Sequence, residues 1–154
     1  MADTTDELAG VVDLFGGLTR DELERALVEL AFKQGKDVDR EAFAAEIDRA
    51  VEDYSLVETE VESEILLVAG PVAFPTVPEN GADLPHILDV PDREVDRERL
   101  GAAVAERLRE DARTVAAAGD ADRAETLLDV SYDLDAWAPV ETDDVRETLD
   151  RAVE

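Results

Sequence analysis

Residues 56–69 of this 154-residue chain decide its fold class, and they read Leu-Val-Glu-Thr-Glu-Val-Glu-Ser-Glu-Ile-Leu-Leu-Val-Ala. In the first half, Val57, Thr59 and Val61 alternate with glutamates, which predicts a half-buried β-strand. The second half is a continuous apolar run, which predicts a more buried strand. Residues 62–64 supply a turn, although they lack the Asn-Gly pair that is typical of a tight hairpin. The stretch therefore predicts a β-hairpin.

The sequence before this hairpin has the periodicity of helices. Thr4-Thr5-Asp6-Glu7 and Thr19-Arg20-Asp21-Glu22 both match the capping box that begins a helix, and a third helix is predicted to begin around Asp39. Apolar residues recur at intervals of three or four after each start, so each helix is amphipathic and has one side to bury. These positions are Leu8, Val11, Val12 and Phe15, then Leu23, Ala26, Leu27, Leu30 and Ala31, then Phe43, Ile47, Ala50, Val51 and Tyr54.

The rest of the chain changes character twice. Residues 71–91 contain five of the six prolines, and proline opposes helix both at its own position and at the residue before it. We therefore predict an extended connector, laid against the protein through apolar residues such as Phe74. The remainder predicts one long helix from about Asp92 to Ala118, a second helix after Gly119-Asp120, and a last helix capped by Thr142. Tyr132 and Trp137 are interpreted as buried anchors for this last helix.

Three helices followed by a two-stranded hairpin, within residues 5–69, resemble a winged-helix domain in the order of their elements. In that family the third helix usually enters the DNA major groove and the hairpin contacts phosphate. The predicted fold class is thus mostly α with a small β-hairpin: a winged-helix-like unit at 1–70, the Pro-rich connector at 71–91, and a helical hairpin with a final helix at 92–154. We expect the C-terminal unit to pack on the first.

The whole chain, including Leu84-Pro85-His86-Ile87-Leu88-Asp89 after Phe74-Pro75, also resembles a haloarchaeal family of uncharacterised small acidic proteins. This resemblance implies no activity and carries no catalytic residues to this sequence.

The charge of the chain suggests the solvent in which it works. Its 41 acidic residues against 15 basic ones give a formal charge of −26, and only Lys33 and Lys36 are lysines. At roughly 1 M salt the Debye length is about 3 Å, so surface carboxylates hardly repel one another there. Because 45% of the residues are hydrophobic and recur periodically, a folded halophilic protein is favoured over a disordered one. No apolar run approaches membrane-spanning length, so a cytoplasmic protein without membrane contact is expected.

Few residues are suited to catalysis. The chain has no cysteine and one histidine, His86, which lies between Asp83 and Asp89. These three could bind a divalent metal or provide a base, but a loop gives them no register in which to converge, so we interpret His86 as packed within the connector. We therefore predict no enzyme activity, no catalytic residue, no cofactor and no metal site.

Two binding functions remain. The predicted third helix carries six carboxylates against Arg40 and Arg49, and no lysine or arginine occurs between Ala50 and Asp92, which disfavours contact with nucleic acid. We therefore predict a protein-interaction or accessory module with an unidentified protein partner; the oligomeric state is left open. The alternative is a winged-helix DNA-binding regulator. The candidate contact residues for either partner are Lys33, Lys36, Arg40 and Arg49.

The charge predicts a strong salt dependence of stability. Because self-repulsion of a highly charged surface destabilises the compact state in dilute buffer, the free energy of unfolding should rise as KCl is raised to molar concentration. Urea titrations at a series of KCl concentrations measure this. A flat or falling stability over that range would contradict the halophilic interpretation.

Overall fold

The computed structural model describes residues 4–78 and 81–153. The chain divides into two compact units, Met1–Val95 and Asp96–Glu154. The described part is mostly helical with one two-stranded antiparallel hairpin, as the sequence predicts. The elements of the first unit are α1 (Thr4–Phe15), α2 (Arg20–Lys33), α3 (Arg40–Glu52), β1 (Leu56–Val61), β2 (Glu64–Ala69) and α4 (Leu84–Ile87). Those of the second are α5 (Arg97–Ala118), α6 (Ala121–Trp137) and α7 (Asp143–Val153).

The ends of α2 and α3 follow the capping rules on which the predictions rest. The Thr19 hydroxyl accepts from the Glu22 amide at 3.2 Å, and the Glu22 carboxylate accepts from the Thr19 amide at 2.8 Å, so the predicted capping box is confirmed. Asp39 caps α3 by accepting from the Ala42 amide. Both helices end in a Schellman turn, which places Gly35 in the left-handed region after α2 and Tyr54 there after α3.

The hairpin pairs Leu56 with Ala69 at its open end and Val61 with Glu64 at its tip. Two residues, Glu62 and Ser63, therefore form the loop, and both have positive φ, as in a type I′ turn. The turn forms here without Asn-Gly. Leu18, between α1 and α2, adds a bridge to β2: its amide donates to the Leu67 carbonyl at 3.0 Å, and the Leu67 amide donates back at 2.7 Å.

The core of the first unit lies between the three helices and the buried face of the hairpin. The predicted apolar stripes supply most of it, because each helix turns one side inward. The buried members of this cluster are Leu8, Ala9, Val11, Val12, Phe15, Leu18, Leu23, Ala26, Leu27, Leu30, Ile47, Ala50, Leu56, Leu67, Ala69 and Leu84.

Leu84 belongs to the Pro-rich segment (residues 71–91), which therefore contributes to this core. The segment is not extended throughout, because residues 84–87 form the short helix α4, with Pro85 in its first turn, where a missing amide is tolerated. Further upstream it runs along α1: the Thr76 amide donates to the Asp6 carbonyl at 3.0 Å. The prediction that Phe74 packs inward is wrong, since this side chain is 79% exposed and only its backbone is held at α1.

Arg93 fixes the end of the first unit. Its amide donates to the Phe15 carbonyl at 2.8 Å, and its guanidinium contacts the Glu22 carboxylate at 2.6 Å in a half-buried ion pair. Burial of Glu22 raises its pKa, but hydrogen bonds from Arg93 and from the Thr19 amide outweigh burial and hold the pKa below its ordinary value. Because these contacts hold the chain outside helical geometry, α5 begins at Arg97, after its cap Asp96, and not near Asp92.

The described residues of the second unit form three helices, α5 to α7. Gly119 ends α5 in the left-handed region and Asp120 caps α6 by accepting from the Arg123 amide, which confirms the predicted junction. The core of this unit is formed by Leu100, Val104, Ala105, Leu108, Ala112, Val115, Ala124, Leu127, Val130, Leu134, Ala138, Val145 and Leu149.

The path of the Pro-rich segment can be tested at Gly10. Gly-to-Ala in a helix ordinarily stabilises by about 1 kcal/mol. At Gly10, however, a Cβ would lie 2.0 Å from the Thr76 carbonyl oxygen. We therefore expect Gly10→Ala to destabilise the protein by roughly 1–3 kcal/mol in urea titrations in molar KCl.

Gly35→Ala is the control, because a Cβ there meets no neighbour and costs about 1 kcal/mol through its left-handed backbone alone. A Gly10→Ala variant that is more stable than the wild type would show that Thr76 does not lie on α1.

Candidate functional site

A cleft in the first unit brings apolar and polar side chains of several elements together. Its volume is about 250 Å³, and it lies between α1, α2, α3 and the Pro-rich segment. Its apolar lining consists of Leu8, Val11, Leu27, Leu30, Ala31, Phe43 and Pro78. Its polar lining consists of Glu7, Gln34, Lys36, Asp37 and Glu46. We call this feature the α1–α3 cleft.

The apolar walls of the cleft are part of the core of the unit, so their positions are fixed by the packing of the helices. Leu8, Leu27 and Leu30 all belong to the buried cluster, and Phe43 packs against it. Two exposed apolar side chains neighbour the lining in sequence: Val38, 45% exposed, follows Asp37, and Val77, 47% exposed, precedes Pro78. Neither of these two valines lines the cleft itself.

The structure places the four candidate contact residues at different points of the α2–α3 region. Lys33 is the last residue of α2 and Lys36 lies just beyond the Schellman turn, where it lines the cleft. Arg40 and Arg49 lie on α3, nine residues apart, which is about two and a half turns at 3.6 residues per turn. The two arginines therefore project from opposite sides of the helix and form no single basic surface.

The outward side of α3 is acidic. Glu41, Asp48 and Glu52 are exposed there, and Arg49 is the one cation among them. Asp48 is paired with Arg20 of α2 at 2.6 Å. The hairpin continues this character, because its exposed charged side chains are glutamates, namely Glu58, Glu60, Glu62 and Glu64.

A second polar cluster lies in the C-terminal unit, around Arg146 of α7. Its guanidinium contacts Asp135 at 2.9 Å, Asp143 at 2.5 Å and the buried Thr142 hydroxyl at 2.9 Å. Burial lowers the pKa of Arg146, but the hydrogen bonds to Asp143 and Asp135 raise it on balance. Each member has a structural partner, so the cluster joins α6 to α7 and presents no free reactive group.

The aromatic residues of this unit depart from their predicted role. Tyr132 is 62% exposed, and its ring lies under the Arg146 guanidinium at 4.6 Å, so its interpretation as a buried anchor is wrong. Trp137 is half-buried, with Arg97 stacked on its ring at 4.1 Å. Thr142 lies directly before α7, where its carbonyl accepts from the Arg146 amide, and its hydroxyl donates to Asp135 of α6 at 2.8 Å. Both aromatic rings therefore stack against an arginine of the same unit and are not fully buried in its core.

His86 is exposed on α4 and not packed within the Pro-rich segment. Among the described residues, no group of three or more His, Asp or Glu side chains is arranged to hold a metal ion.

None of the helices in the described ranges combines the length and apolar content that a bilayer crossing requires. On α6, burial and the neighbouring Asp129 raise the pKa of Asp133.

Sequence reasoning identified Lys36 but missed the cleft that it lines. Four segments that are distant in sequence line the cleft. The periodicity of apolar residues within one segment does not predict which segments come together. One signal was available: Gly10 interrupts the apolar side of α1, where a glycine without a turn indicates a close approach of another backbone.

Comparison with known proteins gives a family but no activity. No curated protein and no solved structure matches the chain significantly. A family model described as "Family of unknown function (DUF7109)" matches residues 6–154, nearly the whole sequence. The chain therefore belongs to the DUF7109 family of proteins of unknown function.

Proposed function

We propose that this chain is a non-enzymatic interaction module that binds a partner protein in the α1–α3 cleft and works in a salt-rich cytoplasm. The observation that carries the proposal is a cleft whose apolar walls are core side chains of three helices; the exposed Val38 and Val77 are next in sequence to its lining residues Asp37 and Pro78. Exposed apolar side chains around a preformed cleft are typical of protein-docking surfaces.

The size of the cleft favours a side chain of a partner over a cofactor or substrate. Pockets for small molecules usually enclose about 300–1,000 Å³, whereas this cleft has about 250 Å³. The apolar part of the lining and a space of this size suit one large apolar side chain, the usual anchor of an interface. High salt does not weaken such a contact, because burial of apolar surface does not depend on charge.

The proposal predicts that charges beside the cleft abolish partner binding. Val38→Asp and Val77→Asp together should remove capture of partner proteins from lysate in molar KCl, because each places a carboxylate where apolar surface would be buried. Affinity purification with quantitative mass spectrometry measures the loss.

Ile65→Asp is the matched control, since Ile65 is also an exposed apolar residue, 59% exposed, but lies on the hairpin. Equal loss in the control, or unchanged capture by the double variant, would show that the cleft is not the docking surface.

A DNA-binding regulator is the second candidate, supported by the order of three helices and a hairpin in the first unit. The charges oppose it: α3 presents carboxylates outward and its two arginines on opposite sides, and the hairpin presents glutamates. Phosphate contacts need cations along the docking face, and salt does not supply the missing donors.

We therefore expect no measurable binding to random duplex DNA in molar KCl. Fluorescence anisotropy with the wild type and with an Arg40→Glu, Arg49→Glu variant tests this. Binding by the wild type that is lost on charge reversal would support the regulator and contradict the interaction module.

A further inference from the structure

The Pro-rich segment contains an exposed stretch that carries no charge. No charged residue occurs between Glu64 and Glu79, the longest such gap in a sequence of which 36% is charged. Strand β2 occupies the first part of this gap, but residues 74–77 are exposed. Phe74 is 79% exposed and Val77 is 47% exposed. Apolar side chains therefore meet solvent here, in an uncharged stretch of an otherwise highly charged chain.

Residues 74–78, which we call the Pro strip, read Phe-Pro-Thr-Val-Pro. A proline ring fixes its own φ at about −65° and restricts the residue before it to extended backbone, so these two rules cover every position of the strip except Thr76. The Phe74 amide donates to the Asp6 carboxylate at 3.1 Å, and the Thr76 amide donates to the Asp6 carbonyl at 3.0 Å. The Pro strip is therefore ordered before a partner arrives, which lowers the entropy lost on binding.

The Pro strip offers hydrogen-bond acceptors and almost no amide donors. Its two prolines have no amide, and the amides of Phe74 and Thr76 are bound to Asp6. The exposed Phe74 and Val77 are three residues apart, and polyproline II has three residues per turn, so in that conformation both side chains lie on one side. Carbonyl acceptors beside apolar side chains, on an extended proline-rich backbone, are what aromatic-lined grooves recognise.

We propose that the Pro strip is the ligand of a partner protein whose binding groove is lined with aromatic side chains. Phe74 and Val77 enter this groove, and tyrosine hydroxyls or tryptophan ring N–H groups of the partner donate to the carbonyls of the strip. The inference goes beyond the proposed function, because here the chain supplies the inserted side chains, whereas in the α1–α3 cleft it receives one. The contact needs no charge on either side, so molar salt does not weaken it.

The test uses the full chain with Phe74→p-benzoylphenylalanine, a photo-crosslinking residue, irradiated in lysate in molar KCl. We expect one dominant adduct, in which mass spectrometry places the new bond at a partner residue within a cluster of aromatic side chains. Phe32→p-benzoylphenylalanine is the matched control, because Phe32 is 77% exposed but lies on α2. The control should not form this adduct.

The affinity of the captured partner, once purified, provides the second measurement. Phe74→Ala should weaken binding about tenfold, as expected for the loss of an aromatic anchor, and Phe32→Ala should bind like the wild type. Val38→Asp, next in sequence to the cleft lining, separates the two proposals. Loss of binding with Phe74→Ala alone supports the Pro strip, whereas loss with Val38→Asp alone would overturn it and leave docking in the cleft standing.

Three results of the crosslinking would also overturn the proposal. These are an adduct with a second copy of this chain, an adduct at a partner surface without aromatic side chains, and no adduct beyond those of the Phe32 control.

Discussion

The contact between the Pro-rich segment and α1 is the constraint on which the first unit depends. A hydrogen bond of 3.0 Å joins the Thr76 amide to the Asp6 carbonyl, and the two backbones come so close that residue 10 has no room for a Cβ. The contact positions Pro78 in the cleft lining, and the same segment then delivers Leu84 to the core. The proposed docking site and part of the core therefore depend on one glycine.

Local features of the fold could be predicted from the sequence because local physics determines them. Capping side chains, the Gly119 stop and the period of the apolar residues each report on a few neighbouring residues, and the helices and hairpin follow from them. The path of residues 71–95 could not be predicted, because proline excludes helices and strands without saying where the chain goes. The predicted start of α5 near Asp92 was wrong for the same reason. Arg93 is held by Phe15 and Glu22, which are distant in sequence, so a local pattern does not reveal these contacts.

The candidate site was less predictable than the fold. The sequence indicated the only cationic cluster near the third helix, and one of its members, Lys36, lines the cleft. The nine-residue spacing of Arg40 and Arg49 already places them on opposite sides of a helix. The sequence could not show that Phe43, Leu30 and Leu8 leave a space between them. With 41 carboxylates in the chain, acidic composition does not mark a site.

The position of the two lysines has a practical consequence. Both lysines follow or end α2, and one of them lines the cleft, while every other basic side chain of the sequence is an arginine. Reagents that acylate lysine amines therefore react with Lys33 and Lys36 at the end of α2 and with no other side-chain amine. A short amine-reactive photo-crosslinker attached there would capture a molecule that occupies the cleft and report its identity by the covalent adduct.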